Sequence, residues 1–371
     1  MRSAFLILLA VSTTGAAACS TGVTPPEPTP MAEVTTNLTF AFGTDFDTDG
    51  FCVDPRTPAN QRPSCSASNG VQLPLVWPQV QVKLAPFAID VHEVTNIQYQ
   101  YCVAAGSCTE PRAGNAVSED QQLYYDVDRF EQYPVVNVTW EQARDYCAFI
   151  AEETGTAVRL PTEAEWERAA KGPNASSPRP FPTDAINSSI TECQQAGFNG
   201  QYCRGDQRMD KVTETTVDFI DEGPTRIYNM FGNAAEWVGT SYKEDVQCLA
   251  AAPCTLEHEC PSGDAQCVTD AKACPACGTG TDCFYLCEGE SKKTILCEPY
   301  PPGTVIDGAD FETASVGVNK IYRGGHVALV GAANSYALCQ FRTSRSNAKP
   351  EPSWAPTASQ PWLGFRCARS L

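Results

Sequence analysis

Residues 159–172 read RLPTEAEWERAAKG. Pro161 lacks an N–H and its ring blocks a preceding helical turn, so no helix runs through it. One starts immediately behind it: Thr162 supplies an N-cap hydroxyl, Glu165 three residues on completes a capping box, and Gly172 ends the run. The same grammar stands upstream in residues 139–155, TWEQARDYCAFIAEETG. There Thr139 and Gln142 form the box, Ala143, Cys147 and Ile150 share a face, and Gly155 closes the helix. It recurs behind Thr95, with Gln98 as box partner and Gly106 as the stop. Three short capped helices are therefore predicted. Around them, the alternation of Val82, Leu84, Phe87 and Ile89 predicts a half-buried strand. The run from Ile227 packs apolar groups around a Gly232-Asn233 turn, and IYRGGH from Ile321 reads as a strand entering a tight turn. Between Gly172 and Arg226, Pro, Ser, Asn and Asp predict irregular surface structure.

Composition narrows the setting. The chain has 371 residues with 42% hydrophobic, enough for a large core, and its 28 prolines and 26 glycines favour loops over long helices. A formal charge of −18 is the wrong sign for gripping a phosphate backbone, so nucleic acid is excluded as a partner. Nineteen cysteines suit an oxidising compartment. Arg2, the apolar run Ala4 to Val11 and the small residues up to Ala18 form a signal peptide over residues 1–19. Ala16, Ala17 and Ala18 before Cys19 resemble a lipobox, which makes Cys19 a lipidation site and the membrane a partner through that lipid. The alternative is ordinary cleavage after Ala18. Setting Cys19 aside leaves eighteen cysteines, an even number that permits complete pairing. Residues 20–32 are Pro-rich and read as an extended linker, with the folded domain at 33–371.

An insertion at 241–300 interrupts that domain. Its segment 248–297 carries nine cysteines with little hydrophobic patterning, the mark of a module stapled by disulfides. Cys274, Cys277, Cys283 and Cys287 have spacing that a zinc site also accepts, though the oxidising context favours disulfides.

Six stretches in order resemble the formylglycine-generating enzyme family, the sulfatase-modifying factors. They are FAIDVHEVTNIQY (87–99), YPVVNVTW (133–140), RLPTEAEWERAAKG (159–172), GNAAEW (232–237), YRGG (322–325) and LGFRC (363–367), within a matched span of about 80–369. The resemblance implies an α+β, loop-rich fold, distantly C-type-lectin-like, here with a disulfide-rich insertion. It also implies a bridge between Cys147 and Cys367. Nearest-neighbour pairing gives Cys52 with Cys65, Cys102 with Cys108 and Cys193 with Cys203. That leaves Cys339 to join the odd nine of the insertion or to stand free.

Active members of the family oxidise a sulfatase cysteine to formylglycine with copper and oxygen, using two thiolates as soft ligands for copper(I). In the family these cysteines lie five residues apart, the second eight residues before a final arginine. The corresponding stretch here, residues 331–345, reads GAANSYALCQFRTSR, which puts Ala332 and Ala337 where the thiols belong. A register slip of one residue offers no thiol. A slip of two brings in Cys339, but its partner is then Asn334. Copper is therefore not expected. Of the three histidines, His92, His258 and His326, none forms a helical ligand pair, and each reads as a surface or packing residue. His326 is the exception to watch, since it follows Arg323-Gly-Gly near the loop that borders the family's cleft. Calcium is the better-supported cofactor: the family binds it around the G-N-x-x-E-W turn, which assigns Asn233 and Glu236, and Asn199 resembles a ligand of a further site. The alternative for Asn233 and Glu236 is bonding to the turn's own backbone.

These residues predict an extracytoplasmic lipoprotein anchored to a bacterial envelope, whose domain acts as a binding or structural module for a peptide or envelope component. The other reading is an enzyme, either a sulfatase-maturing oxidase or an oxidation through Cys339 and His326.

Overall fold

The computed structural model describes residues 25–43, 80–112, 125–173, 209–213, 218–230, 232–241, 303–311, 320–324, 357 and 359–371, with the backbone of short strands between 248 and 299. Three α-helices lie among them, α1 (Asn96–Ala104), α2 (Trp140–Thr154) and α3 (Glu163–Lys171). Each starts on the expected capping box: the hydroxyls of Thr95, Thr139 and Thr162 accept from the backbone of Gln98, Gln142 and Glu165, whose side chains accept the threonine N–H in return. Helices this short are unstable alone in water, so caps worth about 1 kcal/mol each and burial must hold them. Gly155 closes α2 in the left-handed region at φ 65°.

The strands are β1 (Met31–Val34), β2 (Thr39–Phe42), β3 (Val80–Lys83), β4 (Phe87–Asp90), β5 (Val158–Arg159), β6 (Phe219–Glu222), β7 (Thr225–Tyr228), β8 (Ala235–Ser241), β9 (Cys248–Ala251), β10 (Glu259–Cys260), β11 (Leu286–Glu288), β12 (Ser291–Lys293), β13 (Cys297–Pro299), β14 (Val305–Asp307), β15 (Lys320–Arg323), β16 (Leu363–Phe365) and β17 (Ala368–Ser370). They form several small sheets, ordered β1-β4-β17-β5, β14-β3-β2 and β15-β8-β16, with β6 and β7 as a hairpin. In the insertion β13 pairs with β9, and β12 lies between β10 and β11. Few helices and many small sheets make this a mixed α/β fold.

The single strand expected across Val82 to Ile89 is two strands, β3 and β4. Pro86 between them has no N–H to give a ladder. β3 alternates, with Val80 and Val82 inside and Gln81 and Lys83 outside, whereas β4 is buried at every position because β1 and β17 pair with both of its edges. The linker also ends sooner than residue 32. β1 already pairs Met31 with Asp90, Val91 N–H donates to Pro30 O at 2.9 Å, and Gln98 Nε2 donates to Glu27 O and Thr29 Oγ1, each at 3.0 Å. The free edge of β4 captures the chain that precedes the domain.

Two apolar centres result. Beneath α3, Trp166, Ala169 and Ala170 pack on Phe40, Phe42, Phe87, Ile89, Ile220 and Ile227. Around α1 and α2, Tyr99, Trp140, Tyr146 and Phe149 pack with Val135, Trp237 and Phe365. Two disulfides sit in this second centre, Cys102–Cys108 and Cys147–Cys367, the latter joining residues 220 apart in sequence. The pairs Cys52 with Cys65 and Cys193 with Cys203, the partner of Cys339 and the bridges of the insertion lie outside the described residues, as does Cys19. Among the described residues no helix is long and apolar enough to cross a membrane.

Candidate functional site

The polar residues of the sequence motifs converge on two buried clusters. The first is built on α3, every residue of which is buried. Arg323 of β15 reaches Glu163 at 3.2 Å and Glu167 at 2.5 Å, and Lys171 pairs with Glu167 at 2.7 Å. Glu167 also accepts the Gly43 N–H at 2.7 Å. On the next face Arg168 forks onto Glu222 at 3.0 and 3.1 Å and donates to the carbonyls of Thr36 and Asn37. Charges taken this far out of water persist only when paired and hydrogen-bonded, as these are.

The second cluster joins β4, the β7–β8 turn and the terminal LGFRC. Arg366, fully buried, donates to Glu236 through Nε at 2.7 Å and NH2 at 2.6 Å. It also donates to Asp90 O at 3.0 Å and Tyr228 O at 2.8 Å. Trp166 Nε1 of α3 donates to the same Glu236 at 2.8 Å, so one carboxylate ties both clusters together. Glu93 accepts from Asn229 Nδ2 at 2.8 Å and Asn233 Nδ2 at 3.0 Å. Both asparagines lie in the left-handed region, at φ 60° and 64°, a conformation their short polar side chains tolerate.

The electrostatics follow from burial. Desolvation pushes Asp90 up to about 8, against the Cys367 N–H and Arg366, which favour its charged form. Glu93 is pushed up to about 8 by burial in the same way, opposed by Arg366 and by the Asn229 hydrogen bond. For Arg366, burial favours the neutral form, but the charge and hydrogen bonds of Glu236 outweigh it and its pKa is raised. His92, whose Nδ1 lies 2.9 Å from Glu93 O, is pushed down by burial and stays neutral as a packing residue.

Asn233 and Glu236 do not share a cation site. Asn233 Oδ1 accepts the Asp210 N–H at 2.9 Å, and its Nδ2 donates to Glu93. Both oxygens of Glu236 are taken by Arg366 and Trp166, and a guanidinium at 2.6 Å repels any second cation there. Calcium does not fit this pair as arranged. Nor do these side chains bond the turn's own backbone: Asn233 reaches across to Asp210 and Glu93, and Glu236 reaches Arg366. Among the described residues no group of three His, Cys, Asp or Glu side chains is placed to hold a metal. Asn199, His258, His326, Ala332, Ala337 and Cys339 lie outside the described residues.

Sequence reasoning missed Asp90, Glu93 and Arg366 as a group. The available signal was two carboxylates within or just after a predicted strand, which require partners from elsewhere if they are buried. What the two clusters do chemically is hold the fold: their arginines and lysine are paired with their carboxylates.

A family model described as the sulfatase-modifying factor enzyme 1-like domain matches residues 53–371. The chain is 31% identical over 197 residues to the serine/threonine-protein kinase pkn1 of Chlamydia pneumoniae, covering 51% of this chain and 28% of that protein. It is 30% identical over 126 residues to the inactive C-alpha-formylglycine-generating enzyme 2 of Bos taurus, covering 33% and 38%. It is 31% identical over 114 residues to the formylglycine-generating enzyme of Thermomonospora curvata, covering 30% and 35%. The matches thus span well under half the length of these relatives. The solved structure of PvdO from Pseudomonas aeruginosa superposes with a TM-score of 0.50 at 19% identity, covering 92% of both chains, a likeness of fold. With the model match running across most of its length, the chain belongs to the sulfatase-modifying factor enzyme 1-like domain family.

Proposed function

We propose that this protein is a lipid-anchored extracytoplasmic member of the family that acts as a binding or structural module and does not carry out copper-dependent oxidation. The observation that carries this reading is the stretch 331–345, where Ala332 and Ala337 occupy the positions of the two thiols. Copper(I) needs soft ligands, and methyl groups offer none. The domain keeps its scaffold because the residues common to the family motifs pair with each other inside it. One of its relatives is itself named as inactive.

The ligand of such a module is an extended peptide or another envelope component, and the chain's charge of −18 disfavours nucleic acid. Cys19 carries the lipid that holds it at the membrane. The test is to incubate the purified, copper-loaded protein with a C-x-P-x-R peptide and search by mass spectrometry for the aldehyde. The expected result is unchanged peptide. Aldehyde formation that Cys339→Ala abolishes would favour the enzyme reading instead.

A further inference from the structure

Glu27, on the arm that precedes β1, fixes where the chain enters the domain. Its carbonyl and Thr29 Oγ1 each accept from Gln98 Nε2 at 3.0 Å, so the arm is fastened to the first turn of α1. Only eight residues lead from Cys19 to Glu27. At a full extension of about 3.5 Å per residue they reach roughly 28 Å. A compact chain of this length is roughly 50 Å across. A lipid on Cys19 therefore keeps the α1 side of the domain toward the bilayer, because turning the opposite side to it would carry Glu27 beyond that reach.

Helix α1 suits that position. Residues 94–109 carry no charged side chain, in a chain whose formal charge is −18. The inner face, Tyr99 and Cys102, is buried in the second apolar centre. On the outer face Ile97 and Tyr101, one turn apart, are half-buried, and Ala104 beyond them is exposed. Tyr101 stands three residues on from Gln98, beside the fastened arm. Tyrosine, with an apolar body and a polar tip, belongs at the headgroup level of a membrane. A face without charge also approaches lipid with no ion to desolvate, whereas an acidic face is repelled by anionic lipid. Glu27 and Glu131, whose carbonyl accepts the Ile97 N–H at 3.1 Å, flank the helix, so zwitterionic headgroups suit it better than anionic ones.

We propose that the outer face of α1, centred on Ile97 and Tyr101, docks on the zwitterionic surface of the bilayer that the Cys19 lipid enters. Lipid and helix are then two attachments to one membrane, and the domain is held in one orientation. This rests on the lipid at Cys19 proposed above.

The test uses the protein expressed from its full sequence and reconstituted in vesicles of phosphatidylcholine and phosphatidylethanolamine. The photo-cross-linker p-benzoylphenylalanine is placed at Ala104 or, as control, at Val305. Val305 is 49% exposed and lies on β14, whose Ile306 packs in the other apolar centre, beneath α3. Lipid adducts are expected from Ala104 and not from Val305. Ile97→Asp and Tyr101→Asp should each lower the Ala104 adduct by about fivefold while the protein still sediments with the vesicles. Tyr101 packs on Phe149, with ring centroids 5.8 Å apart, whereas Ile97 belongs to neither apolar centre. Ile97→Asp therefore keeps the test valid if Tyr101→Asp does not fold. Equal lipid adducts at the two positions, cross-links from Ala104 to a second copy in place of lipid, or an undiminished adduct in folded Ile97→Asp protein would overturn the proposal. The mass of the mature amino terminus separates the two readings. An acylated protein without the Ala104 adduct overturns the docking face alone, whereas an unmodified Cys19 overturns the anchor and the docking face with it.

Discussion

Arg366 and Glu236 meet through two hydrogen bonds of 2.6 and 2.7 Å with both side chains shut off from solvent, across 130 residues of sequence. This ion pair stands at the turn where the sequence alone suggests a cation site. At that turn it joins the end of the chain to β8. Trp166 adds the third bond to the same carboxylate and brings α3 into the joint.

Breaking the pair from one side should cost far more than replacing it. Arg366→Met leaves Glu236 buried with only Trp166 as a donor and is expected to lower stability by about 3–5 kcal/mol. The double variant Arg366→Met with Glu236→Leu should recover much of that loss. Urea unfolding of the two variants measures the difference.

The pH dependence of stability should carry the imprint of Asp90. Its folded-state value is raised to about 8 from 3.8, so between roughly pH 4 and pH 8 the folded protein holds a proton that the unfolded chain has lost. Stability from this group is therefore full at low pH, falls as pH rises through that window, and levels off above about 8. Asp90→Asn keeps an acceptor for the Cys367 N–H and removes the titration. Its stability should fall less steeply, by up to about 1.4 kcal/mol per pH unit, in the same window. Parallel curves for the two proteins would contradict the assignment.

The two disulfides should differ in weight. In the chain-entropy picture a closed loop of 220 residues contributes about 5 kcal/mol and one of 6 residues about 2 kcal/mol. Replacing Cys147 and Cys367 together by alanine is expected to lower the thermal midpoint more than replacing Cys102 and Cys108. Differential scanning calorimetry under identical conditions gives the ranking.

Gly172 combines two constraints. Its φ of 72° disfavours an L side chain, and a Cβ there would lie 2.8 Å from an Ile220 methyl. Gly155, at φ 65°, has open space around it. Gly172→Ala should therefore destabilise more than Gly155→Ala, which is expected to cost about 1 kcal/mol. Chemical denaturation of both variants tests the order.

What could be read from sequence was what is local. The three capping boxes lie within four-residue windows, and Pro161 and the closing glycines bound the helices without reference to the rest of the chain. The two buried clusters are not local. Glu167 finds Arg323 at a separation of 156 residues, and Arg366 finds Glu236 at 130. Asn233 and Glu236, three apart, imitate a ligand pair only while the arginine that occupies the carboxylate is out of view. β4 is buried throughout, where its own alternation predicts a half-buried strand, because its second edge is covered by β17, from the far end of the chain. The thiol positions, by contrast, sit in one short stretch and can be counted.

That count is tested most directly by copper stoichiometry. Native, oxidised protein titrated with copper(I) against a chromophoric chelator should show no tightly held ion and leave the chelator complex intact. One copper bound per chain with an affinity above the chelator's, and lost on Cys339→Ala, would contradict the absence of a soft-ligand site at 331–345.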